Sequence, residues 1–499
     1  MTNRLTAART PELEMVGVAA LTVLTAVLVF RVSDLGAAIA TAFVFVVYFW
    51  FRPIPALVVF ALTMVFVDTL QLYAGSRMNL LDELTVPGLV LVTLITRRAQ
   101  ILPRLQPWRE GAVVSLLVLA IVSSLINNVP VDIWLRGLVL VGKGIAFFYV
   151  VLMQDVTETD LRPAARVVLA AGVVALGFGF VELFVPGFFV AIGIEPGESR
   201  AGLPSVKGLF VHPLVFAWFS TFLALFLFAF YAVFRRWWQL LLGAAFSLGM
   251  ILAARRRAML ALGAGLAGGI VWELARRSPL RGVLRGWGPS IATVVLLFIV
   301  FLPSLSGLYA MTLARYVETP DVIDGGDILQ DGAELRQLSQ ARVALYLGSI
   351  EITKDHFPFG VGLGRYGSWM SRVEYSPVYV EYELDDIRGL TPENSKFATD
   401  TFWPQVLGEV GVLGVVAYVV FLASIAIAIW KVSRVDWLTP WLRAFCLGAG
   451  MVMVQTLVES LASSMFNSPP RVYLAMGTFG AVLALVATYR ARATADEPV

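Results

Sequence analysis

Long apolar runs separated by short polar connections constrain the fold of this chain more than any other feature of its sequence. Each run has about 17–25 residues, enough to cross the hydrocarbon core of a bilayer as a helix. Because the runs are continuously apolar rather than alternating, they exclude a membrane β-barrel. The predicted spans are residues 14–30, 35–51, 53–73, 83–96, 111–127, 134–153, 163–186, 209–234, 237–254, 257–275, 287–309, 402–430, 440–463 and 471–489.

The sequence therefore predicts an all-α polytopic membrane protein with about fourteen transmembrane helices. Its composition agrees, since 58% of the residues are hydrophobic and only 15% are charged, against roughly 25% charged residues in soluble domains. We expect residues 1–309 to form helices 1–11 and residues 402–499 to form helices 12–14. Between them, residues 310–401 form one large hydrophilic loop. No small-residue cleavage site follows the first apolar run, so we interpret it as a retained helix.

Several classes of bound group are disfavoured by residue content. The single cysteine, Cys446, excludes an intramolecular disulfide. His212 and His356 are the only histidines, which argues against a histidine-rich metal site. The acidic residues of segment 318–331 do not have the spacing of a calcium loop. We expect no metal ion, no other cofactor and no nucleic-acid partner.

The distribution of positive charge predicts the orientation. Lys and Arg next to short loops remain on the cytoplasmic side of a membrane. With the N-terminus inside, alternate loops carry most of these residues, and the 310–401 loop falls on the opposite side. Both termini are therefore predicted to be cytoplasmic and the large loop extracytoplasmic. The cytoplasmic residues are Arg52, Arg97, Arg98, Arg104, Arg109, Arg162, Arg166, Arg235, Arg236, Arg276, Arg277, Arg281, Arg285, Lys431, Arg434, Arg443, Arg490 and Arg492.

A few cations break this pattern. They lie on the outer side or inside a predicted span, where an ionised side chain is costly unless it faces a polar cavity or an acidic partner. Snorkelling, or pairing with Asp68, Glu182, Glu409 or Glu459, is one explanation. Three adjacent arginines cannot all pair cheaply, so for the triple we favour a functional role. The exceptions are Arg255, Arg256, Arg257, Arg136, Lys143, Arg200 and Lys207.

One glycine motif in the large loop resembles a nucleotide-binding signature but has the wrong context. Residues 362–367 fit G-x-G-x-x-G, yet a dinucleotide fingerprint requires a preceding strand and a βαβ unit. We predict instead a tight turn where the backbone approaches a ligand or a helix. The loop also contains a helix-compatible segment, 334–354, and tyrosines that could contact sugar rings: Tyr375, Tyr379 and Tyr382.

The order of these pieces resembles the superfamily of O-antigen ligases and Wzy-type O-antigen or exopolysaccharide polymerases. The pieces are the arginine triple, the large outer loop, the sequence PFGVGLG (358–364), and Asp400 followed by the glycine-rich start of a helix at 402–414. The resemblance covers about residues 200–430. It implies an integral protein of the cytoplasmic membrane, a glycosyltransferase of the C type that is inverting and independent of metal. The donor would be an undecaprenyl-diphosphate-linked oligosaccharide, and the acceptor a glycan.

The resemblance also implies which residues act. Arg256 or its neighbour Arg257, together with Arg342, would bind the donor diphosphate, because guanidinium groups bind phosphate oxygens in pairs. Arg255 and Arg136 are further candidates for this role. Asp400 stands where the ligases have histidine, and it would activate or orient the acceptor hydroxyl. Secondary candidates are His212, Arg200, Lys207, Arg365 and Glu409.

Two of these residues have structural alternatives. Asp400 could cap the helix that begins near residue 402, and His212 could cap the helix that begins at Pro213. We expect Glu409 to pair with an arginine rather than to act in catalysis.

Three functions remain open at this point. Aspartate in place of histidine favours a polymerase, which would work with a chain-length regulator and a flippase of the same pathway. A ligase that transfers finished glycan to lipid A core or another acceptor is the nearest alternative. A transporter or flippase of lipid-linked oligosaccharide belongs to another class, and it predicts repeats with broken helices in matching positions.

Overall fold

The computed structural model describes residues 11–30, 33–191, 204–276, 280–303, 341–432, 434–435 and 438–495. Every regular element in these ranges is helical, and they contain no β-strand. The chain is therefore an all-α protein, as the continuous apolar runs predicted. Arg200 and the segments 318–331 and 334–340 lie outside the described residues, so the expectations made for them stay predictions.

The described helices follow one another along the chain. They are α1 (Pro11–Phe30), α2 (Asp34–Phe51), α3 (Pro53–Val65), α4 (Val67–Ala74), a 3₁₀ turn (Ser76–Leu80), α5 (Leu81–Thr96), α6 (Arg98–Arg104), α7 (Pro107–Ile126), α8 (Val131–Leu152), α9 (Glu158–Phe184), α10 (Pro186–Ala191), α11 (Pro213–Phe234), α12 (Trp237–Leu252), α13 (Arg256–Ala275), α14 (Leu280–Val300), α15 (Ala341–Asp355), α16 (Trp369–Val373), α17 (Val378–Glu381), α18 (Trp403–Val432), α19 (Pro440–Ser460) and α20 (Pro469–Ala495).

Eleven of the described helices are long and apolar enough to cross a membrane, or up to twelve if the bent pair α3 and α4 is one span. Their length and composition make this a membrane-embedded chain. Each of the fourteen predicted spans overlaps one of these helices, or α1, or the shorter apolar helix α12. The number fourteen stays a prediction. The bend of 74° between α3 and α4 was not predicted.

Helices α11 and α20 occupy the interior of the bundle, and most of their side chains are buried. A polar network connects α20 to α5 and α8. The Lys143 ammonium of α8 is 2.7 Å from the Asp82 carboxylate of α5, and the Tyr473 hydroxyl of α20 donates to the same carboxylate oxygen over 2.8 Å. Lys143 is thus paired inside the protein, with a partner other than the four acids considered from the sequence.

Residues 341–398 contribute a hydrophobic cluster of their own at one end of the bundle. We call this part of the chain the outer lobe, after the side of the membrane that the charge distribution predicts for it. Tyr379 and Tyr382 are buried in that cluster, so the prediction that they contact sugar rings is wrong. Burial raises the pKa of both hydroxyls, and it raises the pKa of Tyr375 to about 12. These tyrosines build the lobe rather than a ligand surface.

Candidate functional site

The glycine motif of the outer lobe forms a turn that docks on the start of α18. The amides of Val361 and Gly362 donate to the carbonyl oxygens of Gly408 and Glu409 over 2.8 and 3.0 Å. Gly360, Gly362, Gly364 and Gly367 all have positive φ, a conformation that side chains with a Cβ rarely adopt. The prediction of a tight turn packed against a helix is confirmed, and the motif has no role in nucleotide binding that this geometry supports.

Glu409 is the polar anchor of this turn. Its buried carboxylate accepts hydrogen bonds from the Tyr366 amide and from Gln405 Nε2, each over 3.2 Å. The expectation that Glu409 pairs with an arginine is wrong, because backbone and side-chain amides take that place. Glu409 therefore positions the outer lobe on the bundle and does not belong to the charged cluster described below.

Gly411 allows the lobe and α18 to approach each other. Its φ is +78° and ψ is −173°, a break inside α18, and a Cβ at this position would lie 1.9 Å from the Pro358 carbonyl oxygen. We expect Gly411→Ala to destabilise the protein by about 3 kcal/mol or more, since backbone strain adds to the clash. The measurement is the thermal midpoint and the yield of monodisperse protein in detergent.

The matched control for Gly411 is Gly263→Ala. Nothing lies within 4 Å of a Cβ added at Gly263 in α13, so alanine there should leave stability unchanged or raise it slightly. Equal midpoints for the two variants would contradict the assigned close packing.

The central contact of the candidate site joins Arg342 and Asp400. Arg342 Nη2 in the first turn of α15 lies 2.7 Å from Asp400 Oδ2, and both side chains are about one-third exposed, at 38% and 32%. Within the described residues this is the one hydrogen bond of the Asp400 carboxylate, so the alternative that Asp400 caps α18 is wrong. Two residues that are 58 positions apart, and that the sequence assigned to one site, therefore meet.

Arg257 joins this pair from the start of α13. Its Nη1 donates to the Ala462 carbonyl oxygen, and the neighbouring Leu461 carbonyl accepts from the Tyr346 hydroxyl over 2.8 Å. The charges of Arg342 and Asp400 both act on Arg257. Arg257 thus lies within electrostatic range of Arg342 and Asp400.

Arg471 and Glu459 extend the cluster into the bundle. Both side chains are buried, at 5% and 0% exposure. Arg471 Nη1 donates to Ser463 Oγ over 3.2 Å, and Gln455 Nε2 donates to Glu459 Oε1 over 3.1 Å. Arg471 Nε and Glu459 Oε2 have no hydrogen-bond partner within the described ranges. The charges of Arg471 and Glu459 interact electrostatically with Arg257. Those of Asp400 and Asp68 interact in the same way with Arg471.

The sequence prediction missed Arg471. The available signal was an arginine directly after Pro469 and Pro470, at the start of the last apolar run.

We define the arginine site as Arg257, Arg342 and Arg471 together with Asp400 and Glu459. Its guanidinium groups come from α13, α15 and α20, and they outnumber its carboxylates by one. A site of this composition attracts a compact anion with several oxygen atoms.

No protein-family model and no curated protein matches this chain. The chemistry of the arginine site therefore rests on its own residues.

Other predicted residues lie at the start of α13, on α8 and in the glycine turn. Arg255 and Arg256 are half-buried beside Arg257. Arg136 is exposed on α8, next to Gly137, which packs against Leu363 and Gly364 of the glycine turn. Arg365 is half-buried in that turn.

Lys207 and His212 lie in the connection before α11. The amides of Lys207 and Gly208 donate to Glu182 Oε2 over 2.8 and 2.7 Å. His212 precedes α11 and its side chain makes no capping hydrogen bond, so the alternative that it caps this helix is wrong. His212 and Arg471 both lie within electrostatic range of Asp68 in α4. A role for His212 in binding stays a prediction.

Proposed function

We propose that the chain is a membrane glycosyltransferase that polymerises undecaprenyl-diphosphate-linked oligosaccharide repeat units into a cell-surface polysaccharide. The observation that carries this proposal is the convergence of Arg257, Arg342 and Arg471 around Asp400 at the end of the bundle that bears the outer lobe. A lipid-linked donor needs a cationic site at the membrane surface, and three helices supply one here.

In the proposed reaction the three guanidinium groups bind the diphosphate of the donor lipid. The acceptor hydroxyl attacks the anomeric carbon, the bond from this carbon to the diphosphate oxygen breaks, and undecaprenyl diphosphate leaves with the electron pair. Arginine donors would stabilise the negative charge that grows on the leaving group, an effect of about 3 kcal/mol for each well-placed donor. The anomeric configuration would be inverted, and no metal ion takes part.

Asp400 would act on the acceptor. Because Arg342 already occupies Oδ2, Oδ1 is left to accept a hydrogen bond from the acceptor hydroxyl. This contact orients the hydroxyl and provides an oxygen that can take its proton when the new bond forms. The proposed setting is the cytoplasmic membrane, with the termini cytoplasmic and the outer lobe outside. A flippase and a chain-length regulator would work in the same pathway.

The test is the set of lipid-linked glycans in a deletion strain. A polymerase predicts that single lipid-linked repeats accumulate, and that polymer returns when the wild-type gene is restored but not when Arg257→Ala is supplied. Long lipid-linked chains would indicate the ligase alternative. Unchanged polymer in the deletion strain would refute the proposal.

One observation favours the transporter alternative as a second candidate. Helices α3 and α4 form a broken pair bent by 74°, and Asp68 near the break acts on Arg471. Broken helices form the substrate sites of many transporters. Lipid-linked repeats confined to the cytoplasmic leaflet of the deletion strain would support transport rather than polymerisation.

Binding of the carrier lipid tests Arg471. We expect Arg471→Gln to weaken the affinity of the purified protein for undecaprenyl diphosphate by about 10–100-fold, because one charge-assisted hydrogen bond to a phosphate is lost. Undecaprenyl monophosphate should be affected less. The control is Arg490→Gln, at the other end of α20, which should bind both lipids as the wild type does. Equal affinities of the Arg471 and Arg490 variants would exclude Arg471 from the diphosphate site.

A further inference from the structure

A cavity lies inside the helix bundle. Its volume is about 590 Å³, and helices α3, α8, α9, α11, α12, α19 and α20 surround it. The lining is mainly aliphatic and aromatic, with Phe147, Phe222, Phe230, Trp238 and Phe445 among its side chains. This volume lies within the range of sites for small apolar molecules.

The position of the cavity follows from the helix ends that form it. It contains residues from the first turns of α3, α9, α12 and α19 and from the last turn of α11. The arginine site is built from the starts of α13 and α20 and the end of α19, and along α20 the cavity reaches toward it as far as Tyr473. One end of the cavity therefore lies on the side that the positive charges predict to be cytoplasmic.

The rim of the cavity is positively charged. Arg162, Arg166 and Arg236 line it, and all three are exposed. Arg162 and Arg166 form ion pairs with Glu158 and Glu12. Arg236 lies over the Phe234 ring at 5.7 Å and has no acidic partner within the described residues. The rim thus carries one cation that its neighbours leave uncompensated.

We infer that this cavity binds an anionic phospholipid of the adjacent leaflet, with an acyl chain between α9 and α11 and the phosphate at Arg236. The apolar lining excludes a purely polar anion, while a headgroup without net charge would leave Arg236 uncompensated. An arginine at a membrane surface attracts anionic headgroups by about 1 kcal/mol and can bind a phosphate through two N–H groups. The inference is independent of the proposed function.

Two variants test the two halves of this site. Ala165 of α9 lines the cavity and is half-buried, so Ala165→Phe should fill part of it. Ala170→Phe is the control, because Ala170 is exposed on the same helix and does not line the cavity. For the headgroup, Arg236→Gln is compared with Arg98→Gln, an exposed arginine that also falls on the predicted cytoplasmic side.

The experiment measures the binding of dioleoyl phosphatidylglycerol and dioleoyl phosphatidylcholine to delipidated protein by native mass spectrometry. We expect the wild type, Ala170→Phe and Arg98→Gln to retain one phosphatidylglycerol in preference to phosphatidylcholine. Arg236→Gln should lose this preference about five- to tenfold, and Ala165→Phe should lose the retained lipid. Monodisperse elution of each variant excludes misfolding as the cause. Equal retention of both lipids by the wild type, or loss in Ala170→Phe as in Ala165→Phe, would overturn the inference.

Discussion

Replacement of Arg342 by alanine should reduce polymer formation at least about 100-fold. The guanidinium group of Arg342 is assigned two roles, as a donor to the diphosphate and as the partner that holds Asp400 at 2.7 Å. Loss of one such donor from a transition state costs on the order of 3 kcal/mol, which corresponds to about two powers of ten in rate. The measurement is polymer made from lipid-linked repeats by the deletion strain that carries the variant.

Four further variants make this result specific. Arg372 and Arg388 are exposed arginines of the same lobe, so their alanine variants should make polymer of normal length and amount. Arg342→Lys keeps the charge but not the forked donor geometry, and it should recover only part of the activity. Asp400→Asn can still accept the hydrogen bond from Arg342, but it loses the carboxylate that would take the proton. Normal polymer from either Arg342→Ala or Asp400→Asn would rule out the assigned site.

The sequence alone was sufficient to predict the helices and part of the candidate site. Continuous apolar runs require helices because each backbone amide must be paired within its own segment in a membrane. The glycine turn was predictable because residues 360–367 repeat the one residue type that tolerates positive φ. The prediction that Arg342 and Asp400 belong to one site came from the resemblance of their surroundings to a known family, and not from their spacing.

Other features depend on contacts that no local pattern contains. The chain bends at Phe66 although neither proline nor glycine stands there, so the bend is set by packing rather than by residue type. A glutamate in an apolar helix can pair with an arginine or accept hydrogen bonds from amides. The sequence alone does not distinguish these partners for Glu409. Arg257 and Arg471 are more than two hundred residues apart, so no local pattern of the sequence brings them together.

The buried pair of Lys143 and Asp82 should produce the largest effect on stability. Their side chains are 4% and 1% exposed, and their charged atoms lie 2.7 Å apart. Removal of one partner from such a pair leaves the other charge uncompensated, which costs about 3–5 kcal/mol. We expect Lys143→Met to lower the thermal midpoint in detergent by on the order of 5–10 °C, with Asp82→Asn nearly as damaging.

The double variant distinguishes a charge effect from a packing effect. In Lys143→Met combined with Asp82→Asn no charge is buried, and the Tyr473 hydroxyl, which donates to Asp82 Oδ2 in the wild type, can still donate to the asparagine carbonyl. Because the desolvation cost of both ions disappears with their attraction, the double variant should recover most of the lost stability. Additive losses in the double variant would contradict this account, since they would mean that each side chain stabilises the bundle through separate contacts. Recovery would assign the network the role of fixing the register of α5, α8 and α20, the helix that also carries Arg471.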